Sequence, residues 1–145
     1  MKKKAIWIIA LAIVLLLGII IYFKPLSFSN IVSDNSEISM ILNEYGIRNG
    51  KPDIDVVEYK DITVEQKSAI LAVLDECTYK KTLDTLFSNG SMSGMGNKML
   101  SIYVFNESSD SHVLVISSKE IVINGKNYRM KNAGLLIEQI IAIME

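Results

Sequence analysis

Along the chain, apolar positions fall into two regimes: one unbroken run near the start, then short alternating or helically spaced groups. The run extends from Ala5 to Phe23 without a charged residue. As a helix it would reach about 28 Å at about 1.5 Å per residue, close to the thickness of bilayer hydrocarbon. Trp7 near one end and Tyr22 with Phe23 at the other stand where aromatic rings favour water–lipid interfaces. The pattern predicts a transmembrane signal anchor over 5–23. A rival reading cleaves an exported leader after Ser27-Phe28-Ser29, where two serines occupy the small positions before Asn30. The length of the run and the Tyr22-Phe23-Lys24-Pro25 that follows it favour retention.

Downstream, "ISMILNEYGIRNGKPDIDVVEY" fits both spacings. Ile38, Ile41, Leu42 and Tyr45 recur helically, while Ile38, Met40 and Leu42 alternate. Asn49-Gly50 ahead of "IDVVEY" is a hairpin signal and decides for two strands. "TVEQKSAILAVLDEC" reads as a helix, with Ile70, Val73, Leu74 and Cys77 on one face and Thr63 with Gln66 as a capping box. "YKKTLDTLF", "KMLSIYVFN", "HVLVISS", "EIVIN" and "KNYRM" read as successive short strands, with turns at "ESSDS" and Asn124-Gly125. "NAGLLIEQIIAIM" closes as a helix capped by Asn132, with Leu136, Ile140, Ile143 and Met144 on its apolar side. Strands joined by short turns make an antiparallel sheet. Two apolar-faced helices packed on it give an α+β, two-layer sandwich.

Composition divides the chain in the same way. It carries 15 basic and 16 acidic residues, but Lys2, Lys3, Lys4 and Lys24 flank the apolar run, which leaves 11 basic against 16 acidic elsewhere. Basic flanks stay cytoplasmic, so residues 1–4 form a cytoplasmic stub and the acidic remainder faces outward. An acidic outer part disfavours nucleic acid as a partner. The single cysteine, Cys77, cannot form an internal disulfide, and it lies far from the apolar run where a lipid would be attached. "KPLSFSNIVSDNS", residues 24–36, reads as a polar stalk of about 20 Å root-mean-square reach. Residues 37–145 have the length of one domain with a real core.

Candidate chemistry is sparse. His112 is the only histidine and stands alone at a strand start; Cys77 ends an apolar helical stripe, where a buried structural thiol is expected. Gly94 and Gly96 in "SNGSMSGMGNK" complete neither the dinucleotide nor the Walker spacing. Asp53, Asp55, Glu58 and Asp61 lack the spacing and central glycine of an EF-hand. Lys80 and Lys81, or Lys126 with Arg129 and Lys131, could touch headgroups or wall polymers, and read first as charges on edges and turns. Asn89-Gly90-Ser91 and Asn106-Glu107-Ser108 match the glycosylation sequon, a match that arises easily by chance. No catalytic, cofactor-binding or metal-binding residue is therefore assigned, and no cofactor is expected.

"MKKK" with the apolar run, the Lys/Ile/Asn-rich composition and the "INGKNYRMKN" ending before an amphipathic helix resemble small single-pass extracytoplasmic membrane proteins of low-GC Gram-positive bacteria. The order of hairpin, helix, antiparallel strands and final helix also resembles the TATA-box-binding-protein-like architecture in a setting without DNA. Apolar run, flanking charge and outer domain together predict a membrane-anchored extracytoplasmic binding or interaction module for an unknown protein or cell-wall ligand. An immunity or sensor-accessory role toward a neighbouring membrane protein is the alternative, and an enzyme the third.

Overall fold

The computed structural model describes residues 2–28, 37–92, 96–105, 111–118, 120–130 and 133–145, apart from the side chains of 2–5 and 134. The elements are α1 (Lys2–Tyr22), β1 (Glu37–Arg48), β2 (Lys51–Tyr59), α2 (Val64–Glu76), α3 (Leu83–Phe87), β3 (Lys98–Phe105), β4 (Ser111–Ile116), β5 (Glu120–Ile123), β6 (Lys126–Arg129) and α4 (Ala133–Met144). The fold is α+β. Six strands form one sheet in the order β2-β1-β3-β4-β5-β6, every neighbouring pair antiparallel.

Alternation sets the core. Ile38, Met40 and Leu42 of β1 face the same side as Leu100, Ile102 and Val104 of β3, Leu114 and Ile116 of β4, and Ile121 and Ile123 of β5. Ile70 and Leu74 of α2 and Leu136, Ile137 and Ile140 of α4 complete one buried cluster with them, so both helices lie on that face. The capping box of α2 forms as its sequence predicts: Gln66 N donates to Thr63 Oγ1 and Thr63 N to Gln66 Oε1. Gln66 Nε2 also donates to Ile143 O and ties the start of α2 to the end of α4. The Asn49-Gly50 and Asn124-Gly125 turns have positive φ at both residues, as two-residue hairpins of this kind require. The predicted cap Asn132 and the "ESSDS" turn lie outside the described residues.

Two expectations change, and a third is not shown. First, "YKKTLDTLF" is not a strand. Only Tyr79 and Lys80 form β-bridges, and Leu83–Phe87 is the short helix α3. Its start is fixed by Thr82 N donating to Thr85 Oγ1 at 2.8 Å, and Leu83, Leu86 and Phe87 have helical spacing. Second, the stalk expected over 24–36 does not begin as a free tether. Leu26 N donates to Tyr79 O at 3.0 Å, Tyr79 N donates to Leu26 O at 3.2 Å, and Phe28 is only 2% exposed, with its ring 6.2 Å from that of Tyr79. Two apolar side chains in a serine-rich stretch suffice to dock it, while residues 29–36 lie outside the described residues. Third, a membrane span is not shown. Among the described residues no helix is long and apolar enough to cross a membrane. The described side chains of α1 begin at Ile6, and from there to Tyr22 the helix covers about 26 Å.

Beyond β6 the sheet is extended by single bridges. Lys80 and Arg129 exchange two backbone hydrogen bonds of 3.0 Å, and Leu26 follows on the far side of Tyr79. The edge next to α1 is thereby covered, whereas β2 at the other edge is exposed along most of its length.

Candidate functional site

α3 and the β5–β6 hairpin enclose a polar groove of about 490 Å³, lined among others by Thr82, Asp84, Phe87, Ser88, Asn127 and Arg129. A hydrogen-bond network holds α3 against β6. Thr85 is buried and its Oγ1 donates to Asn127 O at 2.6 Å, while Asn127 N donates to Ser88 Oγ at 3.0 Å. The Asn127 amide reaches back across the groove: Nδ2 donates to Ser91 O at 2.7 Å and to Glu120 Oε2 at 3.2 Å. Those two acceptors fix the amide orientation, so Oδ1 is the buried atom that finds no partner among the described residues. Lys126 Nζ donates to Ser88 O at 3.0 Å and closes the loop end. A Cβ on Gly90 would stand 3.1 Å from Gly125 Cα, and one on Gly96 would stand 2.5 Å from Ser118 Oγ, so both positions leave no room for a side chain without movement.

The groove offers hydroxyls, amides, two carboxylates and a guanidinium, with the exposed Phe87 ring at its margin. Such a surface recognises a polar ligand by hydrogen bonding. A second cleft of about 740 Å³ lies between the end of α2, α4 and Pro25, and Cys77, Lys80, Arg129, Leu135 and Gln139 contribute to its walls.

The residues singled out from the sequence are scattered. Cys77 lines the second cleft; its Sγ donates to Val73 O at 3.4 Å, and burial, then the Glu76 charge, push the thiol pKa up. A thiol held protonated is a poor nucleophile. His112 sits by the β5–β6 turn. Asn124 Oδ1 takes the Val113 N–H at 3.0 Å, so Asn124 Nδ2 donates to His112 Nδ1 at 2.7 Å and leaves the ring proton on Nε2. Asp53 and Asp55 share one face of β2, where Arg48 binds them at 2.8 and 3.1 Å, while alternation turns Glu58 to the other face, beside Lys60 at 2.6 Å. The four carboxylates singled out before α2 thus form no common site. Among the described residues no group of three or more His, Cys, Asp or Glu is placed to hold a metal ion. Gly94 and Lys131 lie outside the described residues.

Lys81 has a different environment from Lys80 and Lys126: its Nζ stands 5.0 Å from the centre of the Tyr22 ring, a cation–π distance. The Tyr128 phenol is shifted upward by burial and, secondarily, by Tyr22. The Lys81 contact places the end of α1 beside the segment that bridges to β6.

Sequence reasoning missed Thr85, Ser88 and Asn127. Thr85 and Asn127 are 42 positions apart, and the available signal was the Thr82–Thr85 pair of a helix start. Comparison of the chain with protein families, with curated proteins and with solved structures finds no match.

Proposed function

We propose that the chain is a membrane-anchored extracytoplasmic binding module, with α1 as its anchor and the α+β domain as its recognition part. The observation that carries this is the surface of α1. Its described Ile, Leu, Val and Trp side chains from Ile6 to Ile21 are each between 52% and 76% exposed, and they point to all sides of the helix. A helix with no polar face needs apolar surroundings. Counted from the sequence, the uncharged stretch includes Ala5 and Phe23 and approaches the hydrocarbon thickness that the described side chains alone fall short of. Lys2, Lys3 and Lys4 on one flank against Lys24 on the other orient the domain outward.

The groove beside Asn127 and the acidic composition favour a polar, non-nucleic-acid ligand, a wall polymer or an exported protein. The open β2 edge favours the second reading, an immunity or sensor-accessory protein that contacts a neighbouring membrane protein. The order of hairpin, helix, short helix, four strands and helix is the ground for the proposed likeness to the TATA-box-binding-protein architecture, which transfers no residue roles. Protease added to intact protoplasts should digest the chain beyond Lys24 and leave the α1 region with the membrane. A domain that survives until the cells are lysed, or a mature chain beginning at Asn30, would overturn the proposal.

A further inference from the structure

The five-residue helix α3 presents apolar side chains outward. Leu83 is 65% exposed, Leu86 47% and Phe87 86%, and at positions i, i+3 and i+4 they form one face. The opposite side is fastened to the domain through Thr85 and Asn127, and Asp84 lies against the polar groove. So small a helix, pinned by one face, gains nothing from showing two leucines and a phenylalanine to water.

Its position supplies the occupant. Lys81, over the Tyr22 ring at 5.0 Å, precedes Leu83 by two residues, so their Cα atoms are at most about 7 Å apart. If α1 is the anchor, Tyr22 marks the level where hydrocarbon gives way to headgroups. That interfacial layer is about 5–8 Å deep on each side of a bilayer, which puts α3 within reach of it. Lys24, two residues after Tyr22, and Lys80 and Lys81, three and two residues before Leu83, bring positive charge to the two segments that meet here, the complement of anionic headgroups.

We propose that α3 is a second membrane contact: its Leu83–Leu86–Phe87 face seats in the headgroup layer of the bilayer that α1 enters, beside Tyr22 and Lys81. The proposal rests on the anchor reading above. Two points of attachment hold the β6 edge of the sheet against the membrane and bring the Asn127 groove, whose margin is Phe87, to the level of the headgroups.

The test uses the full chain with Trp7→Phe and Phe87→Trp, which leaves a single indole, on α3. It is reconstituted in vesicles of phosphatidylcholine and phosphatidylglycerol. Lipids brominated high on the acyl chain should reduce the emission of that indole about twofold or more, at a level independent of the protein-to-lipid ratio. Leu83→Asp with Leu86→Asp, added to that background, should abolish the quenching and open the indole to acrylamide. Full acrylamide access with no bromolipid quenching, in a chain that floats with the vesicles and keeps its circular dichroism, would overturn the proposal. Shielding of the indole that depends on protein density instead of bromolipid would assign the face to a second copy and also overturn it. A chain that fails to float with the vesicles would remove the anchor reading itself, and this inference with it.

Discussion

Phe28→Ala tests whether the segment after α1 is part of the folded domain. Phe28 is 2% exposed and packs at 6.2 Å, ring to ring, on Tyr79, which is itself fully buried and donates its hydroxyl to Leu74 O at 2.6 Å. Truncating a fully buried phenylalanine costs about 3–5 kcal/mol from lost transfer energy and the cavity left behind. Two backbone bonds to Tyr79 hold the segment at the margin of the domain, so it can relax into part of the space, and about 3 kcal/mol is expected. For a domain somewhat above 100 residues 1 kcal/mol moves the melting temperature by about 4 °C, which gives a fall of about 12 °C. The control is Phe23→Ala, at a position 37% exposed on the α1 side, which should shift the melt by less than about 4 °C. Thermal circular dichroism on the full chain in lipid nanodiscs reads both. Hydrogen exchange gives a local reading, because the Leu26 and Tyr79 amides should be protected in the parent and released in Phe28→Ala. An unchanged melt, with Leu26 exchanging as freely as an unfolded peptide in the parent, would refute the docking of this segment.

Two other outcomes follow from the structure. Gly125 has a φ of 74° with open space around its absent side chain, so Gly125→Val should cost about 1–3 kcal/mol through backbone strain alone, measurable as a lower urea midpoint, whereas Gly125→Asn should cost less. Cys77, Tyr79 and Tyr128 all have pKa values raised by burial, so their contribution is fully present below the unfolded values, 9.0 for the thiol, and is lost as pH rises through the folded ones. Domain stability should therefore fall in urea titrations between about pH 8 and 11, and Cys77→Ala should remove the earliest part of that fall.

Most of the sheet was legible because its signals are local and repeated. Ile38, Met40 and Leu42 alternate, and both Asn-Gly turns adopt the positive dihedrals that made them recognisable. The α2 cap and the α4 stripe were legible for the same reason, although Leu135, inside the apolar "GLLIEQII", faces out. The segment around Tyr79 misled because two extended residues beside a threonine-capped turn resemble a strand, and only the Thr85–Asn127 contact settles the helix. Leu26 and Phe28 were hidden in a serine-rich stretch, where composition speaks for a tether and only tertiary pairing with Tyr79 speaks against it. The groove was not legible as a unit. Its hydroxyls, amides, the Asp84 and Glu120 carboxylates and the Arg129 guanidinium come from segments distant in sequence, and of its charged groups only Arg129 stood in a cluster singled out beforehand.

The two edges of the sheet have opposite constraints. On the α1 side, Tyr79-Lys80 and Leu26 take up the hydrogen-bonding positions beyond β6, so the edge nearest α1 is closed by the chain itself. Five strand spacings of about 4.8 Å put β2 some 24 Å from β6, beyond the reach of that closure. Its free edge carries Ile54, Val56 and Val57 exposed, a template for pairing with another chain. On the proposed anchor reading that hazard is greater, because copies confined to one membrane would meet at high effective concentration. The composition of β2 answers it: Pro52 has no N–H to offer, and Asp53, Asp55 and Glu58 would stand against like charges from an apposed copy. Arg48 offsets Asp53 and Asp55 from the neighbouring strand, so the hairpin tolerates its own charge while the free edge stays acidic. Asp53, Asp55 and Glu58, which lack the spacing of a calcium loop, are explained as protection for the exposed β2 edge at the far side of the sheet from α1.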